Sequence, residues 1–181
     1  VTADLSPIFK AYDIRGVYPD QLDEDAAGRI GHAFAVWTGS PKIVMGRDMR
    51  TSSPSLARAF TVGAAAAGAA IVDVGEVSTD ALYFASGRME LPGAMFTASH
   101  NPARYNGVKL KGAFGGSALP EQCRRVEVYI NDNEQQARGP NLMDFRKARE
   151  ANLIQKFNPL PAYFDHMRTL INTDIIADNP Q

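Results

Sequence analysis

Apolar positions along this chain change their period several times, and each change marks an element. Residues 23–38 (DEDAAGRIGHAFAVWT) place Ala26, Ile30, Ala33, Phe34 and Trp37 at helical spacing, with acidic residues in the first turn, where the helix dipole favours them. KIVMG at 42–46 is a continuous apolar run closed by glycine, the pattern of a strand buried on both faces. Pro54 then sits where a helix can start, and good helix formers run from Leu56 to Ala67 before Gly68. The small residues of GAAAAGAA predict close packing on a sheet. AIVDVG at 70–75 predicts a strand, TDALYFASGRM at 79–89 a helix and GAMFTA at 93–98 another strand. GVKLKG at 107–112 alternates apolar and basic residues and predicts a fourth, half-exposed strand, and PEQCRRVEVYIND at 120–132 a closing helix.

Strand and helix in alternation define the α/β class: a three-layer α/β/α domain with a mixed, mostly parallel sheet. The character changes after residue 132. NEQQARGPN is polar and carries Gly-Pro, as a connector does, which sets the domain edge near residue 140. Residues 1–140 are then one domain. Residues 141–181 are too few for a core of their own and read as a connector plus a C-terminal helical extension, with one amphipathic helix in PLPAYFDHMRTLIN, the opening of a further domain.

Composition narrows the function. The chain has 181 residues, with 19 Lys+Arg against 20 Asp+Glu. That balance, without a basic run, argues against nucleic-acid and polybasic membrane surfaces, which need a concentrated positive field. One cysteine, Cys123, leaves no partner for an internal disulfide or a CxxC site. No apolar stretch approaches the roughly 20 residues that cross a bilayer, and VTADLSPIFK lacks the marks of a signal peptide, so the expected compartment is the cytoplasm.

Chemistry concentrates in TASHNP, Thr97 to Pro102, directly after a buried-type strand. In open α/β sheets ligands gather at the carboxyl ends of strands. Ser99 there can be a nucleophile, a phosphoryl carrier or a turn residue. No G-x-S-x-G elbow surrounds it, which argues against a hydrolase, and neighbouring side chains tend to diverge, which argues against a direct Ser99 to His100 proton relay. Lys109 follows at a distance of ten, and KAYDIRG, Lys10 to Gly16, lies far upstream.

Three segments, FKAYDIRG, GRDMRTSSP and GAMFTASHNPARYNGVKL, resemble the phosphohexomutase superfamily, in particular its bacterial phosphomannomutase/phosphoglucomutase branch. The resemblance spans residues 6–175 and is to domain I of a four-domain enzyme. It implies that Ser99 is phosphorylated in the resting enzyme and exchanges its phosphoryl group with a hexose phosphate through a hexose 1,6-bisphosphate, moving phosphate between the 6- and 1-positions. It implies Arg15 beside the phosphoserine and Lys109 as general acid/base or electrostatic partner. A lysine base needs a lowered pKa, which a neighbouring Arg15 and partial burial favour. His100 and Asn101 would position the reacting groups, with His100 sharing in proton handling. Tyr12 would stand near the sugar, or else anchor its loop by packing. Mg2+ would bind the phosphate on Ser99. The expected partners are the hexose phosphate and the remaining domains of the parent chain.

Other residues carry blander expectations. Arg47 and Arg50 can attract an anionic ligand, but pairing with Asp48 or ordering their loop is the favoured reading. Lys111 shares a strand face with Lys109 and is solvated, while Cys123, His32 and His166 pack or face water. Ala103 replaces a proline common in the family. The family's D-G-D-x-D magnesium loop does not occur, and Asp23 and Asp25 lack octahedral spacing. The chain alone is therefore expected to be nearly inactive. Phosphoglucosamine mutase and a non-catalytic phosphosugar- or protein-binding module are the alternatives.

Overall fold

A computed structural model describes residues 4–136, 138 and 142–177. The domain edge expected near residue 140 and the last four residues lie outside the described residues. A short 3-10 turn, Ser6–Ile8, leads into β1 (Ile14–Val17), α1 (Glu24–Thr38), β2 (Lys42–Arg47), α2 (Ser53–Ala66), β3 (Ala70–Glu76) and α3 (Thr79–Met89). There follow β4 (Gly93–Phe96), β5 (Tyr105–Lys111), α4 (Pro120–Gln135), α5 (Phe145–Glu150), β6 (Ile154–Lys156), α6 (Leu160–Leu170) and α7 (Thr173–Ala177).

Local chemistry sets the helix ends. The Asp23 carboxylate accepts the Ala26 amide at 2.8 Å, and Gly39 in the left-handed region closes α1. Ser78 caps α3 through the Ala81 amide.

The sheet runs β1-β5-β4-β2-β3-β6. β4, β2, β3 and β6 pair in parallel, while β5 runs antiparallel to both of its neighbours, so the sheet is mixed and mostly parallel. Alternation along the strands divides the core. Ile43, Ile71, Ala94 and Phe96 join Ile30, Phe34, Phe60 and Val126 from α1, α2 and α4. Val44, Val72 and Met95 point the other way, onto Leu82 and Ala85 of α3. Each large side chain enclosed in this way contributes about 1.5–3 kcal/mol. The result is the expected three layers.

Four expectations need correction. Among the described residues there are six strands rather than four: β1 begins within the polar KAYDIRG segment, and β6 is three residues long. Both owe their state to pairing, Ile14 with Val108 and Ile71 with Ile154, rather than to a periodic signal. Strand β5 is not half-exposed, because residues of both alternating faces are buried, Asn106, Val108 and Leu110 on one and Gly107 and Lys111 on the other. Lys111 is not solvated but 1% exposed, its ammonium 3.7 Å from the centre of the Tyr83 ring and 3.3 Å from Ser117 Oγ. The small residues of α2 serve close helix contact more than the sheet: a Cβ on Gly63 would strike the Gly28 carbonyl of α1, and one on Gly31 the Phe60 carbonyl.

Beyond α4 the described residues form α5, β6, α6 and α7 with short connections between them. Helix α6 rests on α3, with His166 stacked on Phe84 at 5.3 Å. No helix among the described residues is long and apolar enough to cross a membrane.

Candidate active site

β4 ends at Phe96, and the chain then turns through the Thr97–Arg104 loop before returning as β5. Ser99 stands exposed in this loop with φ +56°, the left-handed region that an L side chain rarely adopts. The Thr97 hydroxyl accepts the Ser99 amide at 2.9 Å. Asn101 donates its backbone amide and its side-chain amide to the Ala98 carbonyl, at 3.1 and 2.9 Å. Asn101 thus shapes the turn with its own side chain. The left-handed kink also overturns the expected divergence of Ser99 and His100: Ser99 Oγ and His100 Nδ1 lie 3.4 Å apart, at the outer limit of a hydrogen bond.

The loop is gripped from the connection between β2 and α2, beside it in the sheet. Arg50 donates to the carbonyls of Ser99 and Asn101 at 2.8 Å, Pro102 at 2.9 Å and Tyr105 at 3.0 Å, and its Nε reaches Asp48 at 3.1 Å. Asp48 also accepts the Ser53 hydroxyl at 2.7 Å. Fully buried Asn106 donates to the hydroxyls of Ser52 and Ser53, joining the start of β5 to the start of α2. The expected pairing of Arg50 with Asp48 is present; Arg47 instead pairs with Asp73 at 3.5 Å.

Beside this loop lies a cation pair. Arg15 on β1 is opposite Gly107 on β5, and the Gly107 carbonyl accepts the Thr97 amide, so Arg15 and the Ser99 loop share one end of the sheet. Lys109, two residues beyond Gly107, lies on the Arg15 face. Between the two cations stands Asp13, 9% exposed, with Oδ2 2.5 Å from Arg15 Nη2 and 3.3 Å from Lys109 Nζ. Arg15 keeps a buried Nε with no hydrogen-bond partner. Tyr12 is 64% exposed, so its ring is not packed away among the described residues.

Sequence reasoning missed Asp13, Asn106 and the reach of Arg50. The signal for Asp13 was its spacing: two residues before Arg15, it shares that residue's side of extended chain. Nothing in the sequence announced the other two. Elsewhere, burial lowers the Lys111 and His32 pKa values and raises that of the Cys123 thiol. Tyr83 beside Lys111 is lowered: burial pushes it up, but hydrogen bonds to Lys111 and Ser117 and the lysine charge outweigh it.

Among the described residues no group of three or more His, Cys, Asp or Glu gathers as a metal site. Ser99, His100 and Asn101 do not make a hard-cation site without a phosphate, so they do not by themselves fit Mg2+.

A three-layer α/β domain with an exposed serine at a strand's carboxyl end, near two cations bridged by a carboxylate, has the layout of the open α/β domains whose ligands gather at the carboxyl ends of their strands. Residues 6–137 match the family model for phosphoglucomutase/phosphomannomutase, alpha/beta/alpha domain I. The chain belongs to this family. It is 37% identical over 170 residues to an Escherichia coli phosphomannomutase, covering 91% of this chain and 35% of that one. It is 35% identical to a Pseudomonas aeruginosa phosphomannomutase/phosphoglucomutase, covering 89% and 33%. Among solved structures, a phosphoglucomutase/phosphomannomutase family protein from Burkholderia thailandensis superposes with a TM-score of 0.71 at 31% identity, covering 90% of this chain and 35% of that one. The chain thus spans about a third of the length of these relatives.

Proposed function

We propose that this chain is the phosphoserine-bearing part of an enzyme that interconverts hexose 6-phosphate and hexose 1-phosphate, with mannose or glucose as the sugar. The carrying observation is the exposed, left-handed Ser99 at the end of the sheet that also holds Arg15 and Lys109. Phosphoryl transfer is governed mainly by placement and charge neutralisation, and those residues supply both.

In the first half-reaction the bond between phosphorus and Ser99 Oγ breaks as a sugar hydroxyl bonds to phosphorus. The hydroxyl proton leaves to a base, and Ser99 Oγ regains a proton. The bisphosphorylated sugar then turns, and its other phosphate returns to Ser99 by the reverse steps. Arg15, whose Nε has no partner, is suited to hold phosphate oxygens. Lys109 enters as a paired ammonium, a donor to oxygen on which charge develops. His100 lies close enough to Ser99 Oγ to share its proton.

Turnover needs the parts of a family member that lie beyond this chain's match. The purified 181-residue chain should therefore show little or no mutase activity. Intact-protein mass spectrometry tests the carrier role: incubation of the longer protein with glucose 1,6-bisphosphate should add one phosphate mapped to Ser99, and Ser99→Ala should abolish both the label and turnover. An unmodifiable Ser99 in an active protein would leave only a binding role.

A further inference from the structure

We infer that Arg50 is the positioning residue that holds the Ser99 backbone in its left-handed turn and so aims Oγ; this rests on the phosphoserine reading above.

A guanidinium has five N–H groups in a fixed planar fork. In Arg50 all five are used. Nε meets Asp48, Nη1 meets the carbonyls of Pro102 and Tyr105, and Nη2 meets those of Ser99 and Asn101. No donor remains for a phosphate, in contrast to Arg15 with its unpartnered Nε. The fork spends its whole capacity on orienting one loop, and its side chain is only 13% exposed.

The bond to the Ser99 carbonyl matters most. A residue at φ +56° is sterically disfavoured and persists only where its surroundings over-determine it. The Ser99 carbonyl fixes the plane of the next peptide, and with it ψ at Ser99 and the start of His100. Thr97 Oγ1 holds the Ser99 amide from the other side. Ser99 is thereby clamped at both of its peptide groups. Arg50 is held in turn: Asp48 accepts its Nε and backbone amide, and Ser53 holds Asp48. A lysine at position 50 would keep the charge but offer three donors from a single point, which cannot serve four carbonyls and a carboxylate at once.

The test uses Arg50→Lys and Arg50→Ala in the longer protein, with steady-state kinetics, and the same variants of the 181-residue chain, with amide hydrogen exchange across residues 99–105. The expected result is a fall in kcat of about 100-fold, as a displaced reacting group gives. KM for the hexose phosphate should stay within about threefold, since Arg50 has no donor left for substrate. Loop exchange should quicken by at least about tenfold while the strands keep their protection. Ethylguanidinium should restore part of the kcat of Arg50→Ala. Unchanged kcat in both variants overturns the inference. So does a matching rise in KM, which would mean direct substrate contact. Failure of both variants to fold would assign Arg50 to global stability and overturn it too. Ser99→Ala separates the two readings: if it still turns over, the phosphoserine reading fails, whereas an inactive Ser99→Ala beside fully active Arg50 variants defeats only the positioning role.

Discussion

The Asp13 carboxylate lies 3.3 Å from Lys109 Nζ, joining the residue just before β1 to the middle of β5 and holding Arg15 at the same oxygen. Removing its charge would leave two cations facing one another in a site that is only partly open to water. Asp13→Asn should lower stability by about 1–2 kcal/mol in urea titration. Asp13→Asn combined with Lys109→Met should lose less than the sum of the single changes, by at least about 0.5 kcal/mol, because the pair is one interaction. Strict additivity would show that the contact carries no energy.

Lys109 itself can be probed with little risk to the fold, since its side chain is 26% exposed and the aliphatic stem is kept in methionine. In the longer protein Lys109→Met should reduce kcat by about 100-fold or more, the scale of a lost acid/base group. Full activity would remove Lys109 from the chemistry and leave it as the partner of Asp13. The expectation of a base activated by Arg15 took no account of the carboxylate that intervenes.

The elements that were legible share one property: their signal is periodic and local. Helix α1 announced itself through Ile30, Phe34 and the acidic residues of its first turn, and β2 and β4 through unbroken apolar runs. Strands β1 and β6 were not legible, because Ile14 and Ile154 become strand residues only when a partner strand lies alongside. The same limit applies to the site. Ser99, His100 and Lys109 stand in one distinctive stretch, whereas Arg50 acts across 49 to 55 positions of sequence and on carbonyls, which carry no side-chain identity to read. Lys111 was misjudged for a related reason: strand alternation gives its face, but only Tyr83 from α3 shows that the face is covered.

His32 provides a pH-dependent handle away from the site. Burial on α1 disfavours its charged form and lowers its pKa below the ordinary 6.5. Below that value the unfolded chain takes up a proton that the folded chain resists, so unfolding is favoured as pH falls. The contribution is fully present above 6.5 and is lost as pH drops towards and through the folded value. Wild type should therefore lose more stability than His32→Gln between about pH 7 and pH 5 in urea titrations. Parallel curves for the two proteins would show that His32 titrates alike in both states.

Gly107 tests the architecture that brings Arg15 and the Ser99 loop to one place. It lies between the two, paired with Arg15 on one side and bonded to the Thr97 amide on the other. A Cβ at this position would meet the Ile14 carbonyl at 2.4 Å and the Thr97 carbonyl at 3.0 Å. Both obstacles are backbone, so no side chain can swing away, and either β1 or the end of β4 must shift. Gly107→Ala should then cost about 1–3 kcal/mol, the usual scale of overpacking. In the longer protein it should depress turnover far more than that loss of stability explains, because a shift on the order of 1 Å between Arg15 and Ser99 falls directly on the reacting groups. A thermal melt paired with an activity assay well below the melting point separates the two effects. If Gly107→Ala melts lower but keeps wild-type kcat, the spacing across these three strands does not govern the chemistry, and Arg15 should be sought in another role.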